Sequence, residues 1–262
     1  MVLGLIATFP GYTAVYALND VVDHRVDKEK LKRGWFQDYD DYLDAVLVCH
    51  PIAQGFLSFK EGLAWSLAWG ILALLGAYML NPVCAAIFLA GALLESVYCL
   101  MWRVSHFRTI VSGCVKTTGA LAAVFAVDPN PSLVFILILF LCLFFWEIGG
   151  QNIPADWTDI EEDRQLNAQT IPVRLGLERA NFIILWSIIL AMILTVILFF
   201  VTRVRFEIPY ILAAVFTGGY LLLNPAVKLY KTKERREVMT LFNKASFYPV
   251  SLLAIVTIKS ML

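Results

Sequence analysis

The chain is 262 residues long and 60% hydrophobic, with 16% charged residues and 21 Lys and Arg set against 21 Asp and Glu. A soluble domain of this length is nearer half apolar and a quarter charged, and a mean hydropathy of +0.72 lies well on the membrane side. Zero net charge and a pI of about 6.8 argue against a nucleic-acid surface, so no nucleic-acid partner is expected.

The apolar residues fall in blocks near 1–18, 61–80, 82–102, 109–127, 131–150, 180–202, 207–229 and 244–262. Each approaches the roughly 20 residues that cross a bilayer as a helix. The expected fold class is therefore all-α and integral to the membrane, a multi-pass bundle of transmembrane helices. The first block runs into "ALNDVVDHRVDKEKLKR" at 17–33. There Asp20, Asp23 and Asp27 take the i, i+3, i+7 spacing that shares one helix face, with Asn19 beside them. Carboxylates this close repel unless something positive sits between them. Residues 34–49, "GWFQDYDDYLDAVLVC", read as an amphipathic piece over the bundle mouth. It is either a lid that excludes water or an interfacial connection.

Further along, Lys116 lies seven residues into its apolar block. Ionisable groups at such depth face a cavity or a partner, and anion binding is preferred here over pairing with Glu95 or Glu147, or snorkelling. Arg103 and Arg108 read first as anchors at the start of that block, and Tyr98 equally as an aromatic-belt residue. Glu147, Gln151 and Asn152 close the fifth block, where they contact a substrate or bond to neighbouring helices. Gly149-Gly150 permits a break, and Pro154 fits a helix start. Cys49, Cys84, Cys99, Cys114 and Cys142 contain no CxxC pair and read as small hydrophobes in helix packing. His24, His50 and His106 show no metal-site spacing. Residues 230–243, "YKTKERREVMTLFN", read as a basic surface linker.

The segment "QNIPADWTDIEEDRQLNAQTIPVRLG" at 151–176 repeats the acidic pattern. Asp156, Asp159 and Asp163 are again i, i+3 and i+7, each 136 residues after Asp20, Asp23 and Asp27. One acidic cluster is by default a solvated face; the repeat argues for more. The chain reads as one domain of two pseudo-repeated halves, about 1–127 and 128–262. Two such stripes facing one cavity would suit a hard divalent cation with oxygen ligands, Mg²⁺ foremost, together with a diphosphate. Arg25, Lys28 and Arg164 interleave with the stripes and either hold phosphate or balance charge.

If successive blocks alternate in direction, one side of the membrane receives 17 of the 21 Lys and Arg residues. The positive-inside rule makes that side, and both acidic segments, cytoplasmic. Eight spans then put residue 1 outside without a signal peptide, so a further helix before it is expected.

Asn19-Asp20-x-x-Asp23-x-x-x-Asp27 and Asp156-x-x-Asp159-x-x-x-Asp163 resemble the two aspartate-rich motifs of the UbiA superfamily of intramembrane prenyltransferases. "HPIAQGFLS" at 50–58 is similar to the family's RPIPSGxIS segment, and "QTIPVRLG" at 169–176 to its KTLPVRLG element. The resemblance implies nine transmembrane helices around a central cavity with cytoplasmic caps, eight of them visible here. It implies transfer of an isoprenyl group from an allylic polyprenyl diphosphate to a lipophilic or aromatic acceptor in the lipid membrane, through an allylic carbocation. By position, Asn19, Asp23 and Asp27, with Asp156, Asp159 and Asp163, would hold Mg²⁺. Asp23, Asp27, Asp159 and Asp163 would be catalytic, and Asn19, Arg25, Tyr98, Arg108 and Lys116 would bind diphosphate. An aromatic acceptor of the quinone-precursor type and a prenylated glyceryl phosphate both remain open. The sequence departs from the family at His50, where Arg is common, at Gln169 and Ala155, and at Cys99, where a serine follows the tyrosine. The rival reading is a cation- or proton-coupled transporter with paired carboxylates, though its acids belong near the bilayer centre. A third is an inactive relative that binds isoprenoid without transferring it.

Overall fold

A computed structural model describes residues 2–33 and 50–261. The expected amphipathic piece at 34–49 and Cys49 lie outside them. Among the described residues, eight helices are long and apolar enough to cross a membrane, one for each apolar block, and there is no strand. The protein is an all-α integral membrane protein. Clustering of the chain gives two compact units, Met1–Pro131 and Ser132–Leu262.

The first unit holds α1 (Val2–Lys32), α2 (Phe59–Leu80), α3 (Pro82–Leu100) and α4 (Arg108–Val127). Helix α1 does not stop where its apolar run stops; it carries the whole acidic segment and ends past Lys30. Ser58 and Glu61 form a capping box that starts α2, the Ser58 hydroxyl accepting from the Glu61 N–H and the Glu61 carboxylate from the Ser58 N–H. Asn81 both ends α2 and caps α3. Its Oδ1 accepts from Val83 N–H at 2.9 Å while its Nδ2 donates to Phe125 O at 3.1 Å. Lipid tails are as apolar as leucine, so these helices associate through close packing at small residues. A Cβ on Gly62 would lie 2.3 Å from Ile52 Cδ1, and one on Gly76 2.9 Å from Ala7 Cβ.

The second unit holds four spans and the second acidic segment. Helix α5 (Leu133–Trp146) passes through a π-helical turn, Glu147–Asn152, into α6 (Ile153–Thr158), followed by α7 (Ile160–Gln165), α8 (Ile171–Leu175) and α9 (Leu177–Val201). Helix α10 (Ile208–Gly218) passes through a second π turn, Gly219–Leu223, into α11 (Asn224–Thr232), and α12 (Arg235–Met261) completes the chain. Each π turn precedes a proline, Pro154 or Pro225. Proline cannot donate to the carbonyl four residues back and crowds it; the wider turn relieves both. The expected linker at 230–243 shrinks to a break at Lys233-Glu234, and α12 starts at Arg235. Ile184, Ile188, Leu222, Leu229, Leu241 and Tyr248 form the fully buried core. Gly149 sits so close to α9 that a Cβ would meet Ser187 Cβ at 2.8 Å and the Ile184 carbonyl at 2.9 Å.

Candidate active site

At about 100° per residue, Asp27 lies about 20° around α1 from Asp20, and Asn19 about 40° from Asp23. The motif therefore fans into two clusters rather than forming one stripe. In the first, Asn19 Nδ2 donates to Glu95 Oε1 at 2.8 Å and to Cys99 Sγ at 3.3 Å. Glu95 and Cys99 are buried one turn apart on α3. The Cys99 thiol also donates to Asp23, which sits in the field of Arg108. Arg108 is buried at the start of α4, its guanidinium 4.2 Å from the Tyr98 ring centroid, a distance at which the ring face attracts the cation. The fold thus gathers Asn19, Asp23, Tyr98 and Arg108. Because a carboxylate can only accept, Glu95 fixes the Asn19 amide and leaves Oδ1 as the atom offered to a cation.

The second cluster is Asp20, Asp27 and His50. His50 Nδ1 lies 3.0 Å from Asp27 Oδ2 and 3.9 Å from Asp20 Oδ1, and the Ile52 N–H donates to Asp20 Oδ2 at 3.2 Å. Burial opposes a charge on His50, but the Asp27 hydrogen bond and the charges of Asp27 and Asp20 outweigh it and lift the imidazole above its ordinary 6.5. No histidine shows metal-site spacing in sequence, yet the fold brings His50 Nδ1 and the two carboxylate oxygens of Asp20 and Asp27 within 4.8 Å of one another.

Arg25 lies apart from these clusters, whereas Lys116 reaches Tyr16, one turn before Asn19 on α1. Arg25 is exposed, two residues and so about 200° from Asp23 around α1. Lys116 is exposed, with its ammonium 5.6 Å from the Tyr16 ring centroid. Cys84 and Cys142 behave as packing residues, bonded to Ala122 O and Thr195 Oγ1; Cys99 does not.

The second acidic segment repeats the spacing but not the geometry. Backbone angles of φ −98° and ψ 11° at Asp159 break the helix, so Asp156 lies on α6 and Asp163 on α7. Asp156 is buried at 8% exposure and Asp163 at 2%. Thr170 Oγ1 donates to Asp163 Oδ2 at 3.0 Å, anchoring the "QTIPVRLG" element to the motif. Asp159 is half-buried and accepts from Thr158 Oγ1 at 3.2 Å. Gln169 bonds within its own loop, to Asn167 O. Gln151 donates to Phe242 O and accepts from Ser246 Oγ, bonding to α12; Glu147 is buried in the π turn. Sequence reasoning missed the roles of Glu95, Asp20, His50 and Thr170. An acid inside an apolar span was the signal for Glu95; for His50 it was the place in "HPIAQGFLS" where the family commonly has Arg.

The profile of the UbiA prenyltransferase family matches residues 1–248. The digeranylgeranylglyceryl phosphate synthase of Methanosarcina mazei is 25% identical over 203 residues, covering 76% of this chain and 67% of that one. Among solved structures, the apo form of a UbiA homolog from Aeropyrum pernix K1 matches at TM-score 0.76 and 18% identity, over 100% of this chain and 89% of that one. A UbiA homolog from Archaeoglobus fulgidus bound to DMAPP and Mg²⁺ matches at 0.66 and 18%, over 98% and 87%. At these identities the structural likeness is one of fold.

Proposed function

Because the chain belongs to the UbiA prenyltransferase family and is a transferase of prenyl groups, we propose that it transfers an isoprenyl group from an allylic diphosphate to a lipid acceptor in a Mg²⁺-dependent reaction. The observation that carries this is the built arrangement at Asn19. The amide nitrogen is held by a buried glutamate, which leaves the amide oxygen as the group's remaining acceptor, one helical turn from Asp23. The donors offered are all oxygen, the chemistry Mg²⁺ selects, and the A. fulgidus relative carries Mg²⁺ with a prenyl diphosphate. Asn19, Asp23 and Asp27 would hold Mg²⁺ in the first motif, and Asp156, Asp159 and Asp163 are proposed as the oxygen donors of the second motif. When bound, magnesium supplies charge neutralisation for the departing diphosphate.

The chain's own groups do the rest. Arg108, held by the Tyr98 ring, adds a fixed positive charge for the diphosphate. Lys116 is proposed as a further anion contact, while the exposure of Arg25 argues against including it. The apolar spans exclude water, which protects the allylic cation left behind. The acceptor oxygen or ring carbon attacks, and a motif carboxylate takes the displaced proton. Crowding of Lys and Arg into one set of loops supports a site that faces the cytoplasm. Resemblance to a digeranylgeranylglyceryl phosphate synthase favours a prenylated glyceryl phosphate as acceptor over an aromatic quinone precursor.

Purified protein is to be given geranyl and longer allylic diphosphates with a panel of both acceptor types, scoring Mg²⁺-dependent diphosphate release and the mass of the lipid product. Release is expected with wild type and lost in Asp23→Ala and Asp159→Ala. Turnover unchanged in either variant would remove the proposal, and an aromatic product would overturn the acceptor assignment.

A further inference from the structure

Asp20 Oδ1 poses a problem that the prenyl-transfer reading leaves unsolved. The residue is 9% exposed, that oxygen is enclosed, and it has no hydrogen-bond donor among the described residues. His50 Nδ1, at 3.9 Å, is beyond hydrogen-bonding reach. The other oxygen is pinned by the Ile52 N–H, so the carboxylate cannot turn away. A buried, unsatisfied carboxylate oxygen is costly. Here it points at the same spot as Asp27 Oδ2 and His50 Nδ1.

We propose that Asp20, Asp27 and His50 form a binding site for a first-row divalent cation such as Mn²⁺, Co²⁺ or Zn²⁺. Three observations carry it. Two donors come from one face of α1, held by the helix itself, and the third from a residue 23 positions beyond Asp27. All three ligand atoms lie within 4.8 Å of one another. Donors around an ion at about 2.1 Å are roughly 3.0–3.5 Å apart, so the 3.0 Å Asp27–His50 pair already fits, while Asp20 Oδ1, 3.9 Å from Nδ1 and within 4.8 Å of the Asp27 oxygen, has to move inward. His50 holds its backbone at φ 55°, a region that residues other than glycine seldom adopt unless surroundings dictate it. Here that conformation delivers the imidazole to the carboxylates.

The donor set decides the class of ion. Magnesium takes oxygen ligands and sheds water reluctantly, whereas imidazole with carboxylates suits manganese, cobalt or zinc. The site is distinct in composition from the Asn19–Asp23 set, although Asp27 belongs to both. Loading the ion requires His50 Nδ1 to give up its proton, which leaves to solvent. The alternative is a plain ion pair, with the imidazolium itself as the cation between the two acids.

The test uses the full chain in detergent micelles, stripped of metal and without diphosphate, titrated with Mn²⁺ and read by electron paramagnetic resonance and three-pulse echo modulation. Wild type should bind Mn²⁺ with ¹⁴N modulation from a coordinated imidazole. His50→Gln should abolish the modulation and weaken binding tenfold or more, and Asp20→Asn should weaken binding similarly. Wild type saturated with Mn²⁺ but lacking ¹⁴N modulation would leave only the ion pair and overturn the proposal. So would a His50→Gln protein with unchanged modulation and affinity. Asp23→Asn is expected to keep the modulation. Because neither substrate nor turnover enters the measurement, its outcome is separate from that of the prenyl-transfer reading.

Discussion

Removing Glu95 should loosen the cation site without touching a proposed ligand. In Glu95→Ala the Asn19 amide loses its 2.8 Å carboxylate acceptor but keeps the thiol of Cys99 at 3.3 Å. Partners that orient metal ligands are typically worth 10–100-fold in metal affinity, or about 1.4–2.7 kcal/mol at 1.36 kcal/mol per factor of ten. The surviving sulfur contact, weaker but correctly directed, places the expected effect near the lower end, about tenfold. The assay is the Mg²⁺ dependence of diphosphate release. The midpoint should move to about tenfold higher Mg²⁺ while the rate at saturating Mg²⁺ recovers to within a few-fold, because a positioning defect yields to mass action. Glu95→Gln should fall between, since its amide oxygen still accepts from Asn19. An unchanged midpoint in a folded Glu95→Ala protein would refute the argument that the Asn19 amide is set by this bond.

Three further outcomes follow from the geometry. Gly149→Ala should lower stability by about 1–3 kcal/mol through overpacking, because its Cβ would meet the Ile184 carbonyl and Ile188 nitrogen of α9. Gly70→Ala on α2 has open space and should be neutral or slightly stabilising; equal melting temperatures for the two variants would contradict this. Thr170→Val strips the donor from the buried Asp163 carboxylate and should cost about 1–3 kcal/mol, measured by thermal unfolding in detergent. In metal-free protein, the raised His50 pKa means the folded state binds that proton more tightly than the unfolded one. Its stabilisation should be complete below about pH 6.5 and fade as pH rises through the higher folded value. His50→Gln should flatten that part of the stability curve, and an unaltered pH profile would show that the contact with Asp27 is not formed.

Block-wise hydropathy was enough to give the class, the eight spans and their order, because a helix in lipid must satisfy its own backbone and so announces itself by length alone. Motif spacing put Asn19, Asp20, Asp23 and Asp27 together on one helix, as α1 bears out, since residues on one helix keep their angular relation wherever the helix goes. That logic fails wherever a local break or a distant partner intervenes. Asp156, Asp159 and Asp163 repeat the first spacing faithfully, yet the kink at Asp159 puts them on two helices, a backbone event that side-chain periodicity does not encode. The fanning of the first motif into two clusters depends on what α3 and the start of α2 bring against α1: Glu95 and Cys99 at one edge, His50 and Ile52 at the other. Those partners lie tens of residues from Asp20, and their arrival is fixed by glycine-mediated packing at Gly62 and by the capped start of α2. Spacing along a single helix is local and readable; convergence of charges from separate segments is a property of the packed chain.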